Sequence, residues 1–193
     1  MAVVAGFSVS LDGFAAGLDD RVGPLFDWMF NGPVEVTRPG YPITYRMSPA
    51  SARYWTDTTE DLGTLVCGRR VFDHTGAWGG RPPGLQRVFV VTHRPPESCP
   101  DGLFTFVTTG VADAVAQAKA AGLGGVGVCG PTTARQCLAL GLLDEVRLDL
   151  VPVLLGKGIR YLDNLVDTTA EFHRTDVVAG DGVTHLRYRV TYR

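Results

Sequence analysis

Between residues 64 and 151 the chain alternates short apolar runs with helix-like stretches, and this alternation limits the fold more than any other feature. Apolar runs at 64–67, 87–92 (R-V-F-V-V-T), 103–108, 126–129 and 145–151 read as strands. Between them lie helical patterns at 68–73, 111–121 and 132–140. Val111, Val115 and Ala118 share one face of the second, and Gly141 ends the third. Strands and helices in alternation build a mainly parallel sheet with helices on its faces.

The flanks add two different patterns. Residues 2–10 read as a first strand and 11–24 as a Gly- and Asp-rich loop, long enough to be a lid or binding loop. Residues 25–30 suit a short helix, and 31–47, rich in Pro and Gly, an irregular insertion. Ser48-Pro49 reads as an N-cap followed by Pro at the first helical position, opening a helix to about residue 61. At the other end, 171–178 and 183–192 flank Ala179-Gly180-Asp181-Gly182, a hairpin signal. There the period is two, with Leu186, Tyr188, Val190 and Tyr192 on one face and His185, Arg187, Arg189 and Thr191 on the other. The expected fold is therefore α/β: one domain over 1–193, with a mainly parallel central sheet, flanking helices and an antiparallel C-terminal hairpin.

Composition narrows the function. A chain of 193 residues with 18 Lys and Arg against 20 Asp and Glu has a net charge of −2, which argues against a nucleic-acid tracker. No apolar run approaches the ~20 residues of a membrane span. The first ten residues lack the basic start of a secretory signal. Cys67, Cys99, Cys129 and Cys137 form no C-x-x-C pair, so neither a zinc site nor a thioredoxin motif is indicated, and a reducing cytoplasm fits. His74, His93, His173 and His185 lack metal-ligand spacing, and neither G-x-S-x-G nor a P-loop occurs.

Ligands of open α/β sheets sit beyond the carboxyl ends of the strands, so those ends are the first candidates. Gly68-Arg69-Arg70-Val71 combines a tight turn, a helix start and two guanidinium groups, a suitable phosphate site or else a plain turn with solvated arginines. Thr92-His93-Arg94 clusters a hydroxyl, an imidazole and a guanidinium. Gly130-Pro131-Thr132-Thr133 opens a helix with two hydroxyls, although Thr132 also reads as a simple cap. Gly124-Gly125-x-Gly127 precedes a strand and is no dinucleotide fingerprint. Three consecutive ends of this kind suggest a nucleotide cofactor. Asp12, at the first strand end, meets a substrate or closes a turn. Asp27, between Phe26 and Trp28, is either a carboxylate raised by aromatic neighbours and acting as proton donor, or a solvent-facing helix residue. Trp78, in Gly76-Ala77-Trp78-Gly79-Gly80, either stacks on a flat ring or covers the core.

These residues, in this order, resemble the dihydrofolate-reductase-like superfamily, in its bacterial branch related to the reductase domain of riboflavin biosynthesis. The resemblance runs over nearly the whole chain. It rests on Ser8-Val9-Ser10-Leu11-Asp12-Gly13-Phe14, Gly68-Arg69-Arg70-Val71-Phe72, Val90-Val91-Thr92-His93-Arg94-Pro95 and Val128-Cys129-Gly130-Pro131. Gly141-Leu142-Leu143-Asp144-Glu145-Val146, Pro152-Val153-Leu154-Leu155-Gly156-Lys157-Gly158 and Gly182-Val183-Thr184-His185-Leu186-Arg187-Tyr188 complete it. It implies an NADPH-dependent reductase, commonly a homodimer, acting on a small cyclic or imine-bearing molecule such as a riboflavin intermediate of the 5-amino-6-(5-phosphoribosylamino)uracil type. It implies that Gly68 to Val71 and Gly130 to Thr133 hold the cofactor phosphates, and that Thr92, His93 and Arg94 face the phosphate on the adenosine ribose. Asp12 and the 154–158 loop, with Leu154, would border the substrate. The chain lacks the Trp-x-Leu-Pro signature of folate enzymes, which argues against folate. A non-catalytic nucleotide- or ligand-binding protein and a flavin-using oxidoreductase are the competing readings. Where relatives have a cis Gly-Gly pair this chain has Gly130-Pro131, so a cis bond is expected there. The alternative is a trans bond with Pro131 opening the helix.

Overall fold

A computed structural model describes residues 1–82, 84–99, 102–165 and 169–193. Its strands are β1 (Val3–Ser10), β2 (Phe14–Ala16), β3 (Val34–Val36), β4 (Tyr45–Met47), β5 (Leu62–Gly68), β6 (Arg87–Val91), β7 (Phe104–Val107), β8 (Gly125–Cys129), β9 (Glu145–Val151), β10 (Ile159–Arg160), β11 (Ala170–Gly180) and β12 (Val183–Tyr192). Four α-helices, α1 (Pro49–Thr59), α2 (Arg69–His74), α3 (Val111–Ala120) and α4 (Pro131–Ala139), connect them. A turn of 3-10 helix spans Gly23–Met29.

Eight strands form one sheet in the order β11-β12-β9-β1-β8-β5-β6-β7. The six from β9 to β7 run parallel, and β12 and β11 close the edge antiparallel. The central strands are buried on both faces, which is why they read as unbroken apolar runs such as Val88-Phe89-Val90. One face carries Val3, Ala5, Val9, Val66, Phe89, Val126 and Val128. Against them pack Val111, Ala114, Val115 and Ala118 of α3 and Ala134, Cys137 and Leu138 of α4. The opposite face is covered in two places. Leu25, Trp28, Met29, Tyr45, Met47 and Ala52 pack over one end. Phe72 and Ala77 pack over Cys67, Val88 and Val90 at the other.

Three local expectations need correction. Residues 31–47 are not irregular throughout, because β3 and β4 pair antiparallel within them. The 11–24 loop contains β2, which pairs with β10. Three-residue strands are too short to show a period. The third concerns β12, whose nominally polar face lies partly inside: His185 has 0% exposure. α1 packs over that face, while Leu148, Leu150, Leu186 and Tyr188 on the other face are only half-buried. At the start of α1 the Ser48 side chain accepts from the Ser51 amide at 3.2 Å and Pro49 follows, as its sequence requires.

Candidate functional site

All the parallel strands deliver their carboxyl ends to one edge of the sheet. β5 ends at Gly68, β6 at Val91, β8 at Cys129 and β1 at Ser10, so Gly68, Thr92, Gly130 and Asp12 stand along one rim. Two glycines there are closely packed, and Gly130 is sterically required. A Cβ on Gly130 would lie 2.7 Å from Val71 Cγ2, and Gly130 has a φ of +94°, which disfavours any L side chain. A Cβ on Gly68 would lie 3.3 Å from Thr133 Oγ1. The turn into α2 and the first turn of α4 thus interlock with bare backbone between them. The Gly130–Pro131 peptide is trans, contrary to expectation. The left-handed Gly130 makes the bend itself, and Pro131 sits where its missing N–H costs nothing, at the helix start.

The charged groups of the rim divide by what already holds them. Arg69 donates from Nε to Asp73 at 2.7 Å and from Nη1 to the Arg94 carbonyl at 2.9 Å. Thr92 Oγ1 donates to that same carbonyl at 2.9 Å and accepts from the Arg94 amide at 3.2 Å. Arg69 and Thr92 therefore shape the 92–94 turn. Arg70 is paired with Asp20 at 2.6 Å, on the loop after β2. Arg94 is exposed and has no carboxylate within ion-pair distance among the described residues. His93 and Thr132 are exposed beside it on the rim, and Thr133 is buried.

Asp12 is a clasp. Its carboxylate accepts from Ser10 Oγ at 2.6 Å, from the Gly156 amide at 2.7 Å and from the Leu155 amide at 3.2 Å. The Ser10 hydrogen bond foremost, then the Gly156 and Leu155 amides, hold its carboxyl below the ordinary aspartate value. It is suited to remain ionised and to fix the 154–158 loop, not to give up a proton. Leu154, in that loop, is 74% exposed. Asp27 is exposed on the Gly23–Met29 turn, so the aromatic enclosure expected of a proton donor is not formed around it.

Trp78 is half-buried in a left-handed turn: φ is +57° at Gly76, +52° at Ala77, +50° at Trp78, +61° at Gly79 and +81° at Gly80. Left-handed helical backbone costs an L-residue roughly 1–2 kcal/mol, a cost borne here by Ala77 and Trp78.

One constellation escaped the sequence reading. His185 Nδ1 lies 2.7 Å from Asp149 Oδ1, and His185 Nε2 lies 2.9 Å from Ser51 Oγ. Its ring stacks on Tyr54 at 4.3 Å and meets the edge of Trp28 at 5.0 Å. This is the order of a hydrolytic triad, yet Ser51 and His185 both have 0% exposure. A Cβ on Gly180 would overlap Ser51 Oγ, so the hairpin backbone seals the serine from any substrate. The array joins α1 to β9 and β12. Its only sequence signal was Asp149 interrupting Leu148 and Leu150 in an apolar strand. Among the described residues the buried Tyr54 and Tyr161 hydroxyls have no hydrogen-bond partner, and burial pushes both phenols up. Burial likewise raises Cys129, at the end of β8, to about 11, so it is a poor nucleophile at neutral pH. Among the described residues no group of three or more His, Cys, Asp or Glu could hold a metal, and no helix is long and apolar enough to cross a membrane.

Three solved structures share this architecture. A protein assigned to riboflavin biosynthesis from a Shewanella species matches with a TM-score of 0.74 and 22% identity, over 99% of each chain. A pyrimidine reductase-like protein from Corynebacterium diphtheriae matches at 0.67 and 14%, over 100% of this chain and 92% of that one. Dihydrofolate reductase from Enterococcus faecalis, bound to NADP(H), matches at 0.60 and 15%, over 98% and 96%. The fold is dihydrofolate-reductase-like. No family model and no curated protein matches the chain in sequence. On the dihydrofolate-reductase-like fold, the rim with Gly68, Arg94 and Gly130 is the carboxyl edge of the parallel sheet, where α/β sheets of this kind take ligands.

Proposed function

We propose that the chain is an NADPH-dependent reductase. The observation that carries this reading is the glycine interlock of Gly68 and Gly130 beside the guanidinium of Arg94, which has no ion-pair partner among the described residues. The close packing of these two turns fixes the start of α4, whose amide N–H groups would donate to a pyrophosphate, with Thr132 offering a hydroxyl. Arg94 would meet the additional phosphate on the adenosine ribose, for which a guanidinium is the best-matched donor. Arg69 and Thr92 would act by holding Arg94's turn, and Arg70, Val71, His93, Pro131 and Thr133 complete the cradle. The bound nicotinamide supplies the hydride; the protein supplies binding and orientation. Support comes from the Enterococcus enzyme, described with NADP(H) bound, and from two neighbours described by riboflavin-biosynthesis and pyrimidine-reductase names.

The substrate is a small cyclic or imine-bearing molecule, of the type of a riboflavin intermediate. Asp12 borders it through the loop it fixes, and Trp78 lies on its side of the cleft. The half-buried face of β9 and β12 would pair two copies into a homodimer. The four cysteines, none in a C-x-x-C pair, suit a reducing cytoplasm.

Titration with NADPH, NADH and FMN tests the reading, followed by turnover on a panel of reducible heterocycles. NADPH should bind tightest. Arg94→Ala should weaken NADPH by about ten- to a hundred-fold, the equivalent of one charge-assisted hydrogen bond, and leave NADH nearly unchanged. Tighter NADH or FMN binding in the wild type would overturn it.

A further inference from the structure

Two cysteines meet one residue short of the glycine interlock. β5 and β8 are neighbours and pair parallel, with Val66 opposite Val128 and Cys67 opposite Cys129. Val66 and Val128 face α3 and α4, so the period of two turns both cysteines to the other face, where they join the cluster of Phe72, Val88 and Val90. Adjacent strands lie roughly 4.7–4.9 Å apart, inside the span of about 4.4–6.8 Å between the Cα atoms of bridged cysteines. The electrostatics agree that the two sulfurs are close: burial foremost, and then Cys129, raise the Cys67 thiol. Both are free thiols.

The two positions are unequal. Cys67 is fully buried, whereas Cys129 is half-buried at the end of β8, where the rim begins. Each cysteine is followed by one of the interlocked glycines, Gly68 and Gly130. That interlock has little slack, since one added carbon would crowd Val71 at Gly130 and Thr133 at Gly68. Side by side at the strand spacing, two Cβ atoms must draw together by a few tenths of an ångström to reach the roughly 3.5–4.5 Å of a bridged pair. The pull falls on the residues just before Gly68 and Gly130, and the interlock passes it to the starts of α2 and α4.

We propose that Cys67 and Cys129 form a reversible disulfide on exposure to a peroxide, and that this bridge displaces the rim turns and switches off the ligand site there. In the first step the Cys129 thiolate attacks one oxygen of hydrogen peroxide, the O–O bond breaks, and Cys129 becomes a sulfenic acid as water leaves. In the second, the Cys67 sulfur attacks the Cys129 sulfur, the S–O bond breaks, and a second water leaves with the Cys67 proton. Two thiols and one hydrogen peroxide become one disulfide and two waters, the two electrons passing to the peroxide oxygens. Burial raises Cys129 to about 11, an effect the Gly130 amide partly offsets, so the switch answers sustained rather than brief oxidation. Strained bridges are the readily reduced ones, and transient disulfides of reducing compartments are commonly redox-sensing. The bridge is independent of the reductase reading; only its effect on NADPH rests on it.

The whole protein is treated with hydrogen peroxide and compared with untreated protein and with treated protein returned to dithiothreitol. Peptide mapping by mass spectrometry should find Cys67 joined to Cys129 with the loss of two hydrogen atoms, reversed by dithiothreitol. Amide hydrogen exchange should quicken at the starts of α2 and α4 in the bridged form. NADPH, followed by its own fluorescence, should bind the bridged form about tenfold or more weakly and recover with dithiothreitol. Cys129→Ala should form no bridge and keep its NADPH binding after peroxide, and Cys67→Ala serves the same purpose from the other strand. The switch is overturned if Cys67 and Cys129 do not join, whether they stay intact, are overoxidised singly or pair with Cys99 or Cys137. It is overturned equally by a bridge that leaves exchange at both helix starts unchanged, or by undiminished NADPH binding to the bridged form of a protein that binds NADPH when reduced. If the reduced protein fails to bind NADPH while the bridge and the exchange change both appear, the reductase reading falls and the switch stands.

Discussion

Replacing His185 by Phe should loosen the attachment of α1 to the sheet. The phenyl ring keeps the volume and the stacking on Tyr54 and Trp28, so little cavity is made. What is lost is the pair of polar contacts, 2.7 Å to Asp149 and 2.9 Å to Ser51. A hydrogen bond to a charged group contributes about 1.5–3 kcal/mol and a neutral one about 0.5–1.5 kcal/mol. Asp149 is 19% exposed, so water recovers part of the first, whereas the Ser51 hydroxyl is fully buried and retains only Ser48. The expected loss is about 2–4 kcal/mol. Asp149→Asn keeps an acceptor for Nδ1–H and should cost about 1 kcal/mol. Urea unfolding followed by Trp fluorescence gives both values, provided the slope m is unchanged. A loss below about 1 kcal/mol in His185→Phe would refute the claim that this array holds helix to hairpin.

Three further outcomes are expected. Gly130→Ala should lose about 1–3 kcal/mol of stability from its left-handed backbone, and should weaken NADPH binding because the new Cβ forces Val71 away; thermal unfolding and cofactor titration check this. The Asp12 carboxyl is depressed in the native state, so its clasp stabilises the fold fully above the ordinary value of 3.8 and loses that contribution as pH falls through the lower native value. Wild type and Asp12→Asn should accordingly differ in stability at neutral pH and converge below pH 3.8 in acid unfolding. Leu186→Asp, on the half-buried face of β12, should turn a dimer into a monomer by sedimentation; a wild-type monomer at micromolar concentration would remove the proposed assembly.

Residues whose role depends on near neighbours were legible in the sequence. Ser48 caps α1, the glycines at 68 and 130 end strands, and the apolar runs became the central strands, because each signal lies within a few residues. Residues whose role depends on distant chain were not. The Asp12 carboxylate is spent on amides 143 and 144 residues away, which no local pattern around Asp12 records. Period two on β12 separated His185 from Leu186 but could not say which side α1 would cover. Asp27 had aromatic neighbours in sequence, yet its own side chain points to solvent while Leu25 and Trp28 turn inward.

The central position of β1 sets an order of events during synthesis. Its two neighbours, β8 and β9, lie more than a hundred residues downstream. At roughly 5–20 residues per second, the ribosome needs on the order of ten seconds to deliver them. Throughout that interval Val3, Val4, Ala5 and Val9 have no strand to pair with, while β5, β6 and β7 can already assemble around α3. The centre of the finished sheet thus closes after the β5-β6-β7 flank, and only the C-terminal hairpin of β11 and β12 follows it. The nascent chain is most vulnerable to wrong pairing at an apolar segment that ends as one of the best protected, and a holding chaperone would find its target there.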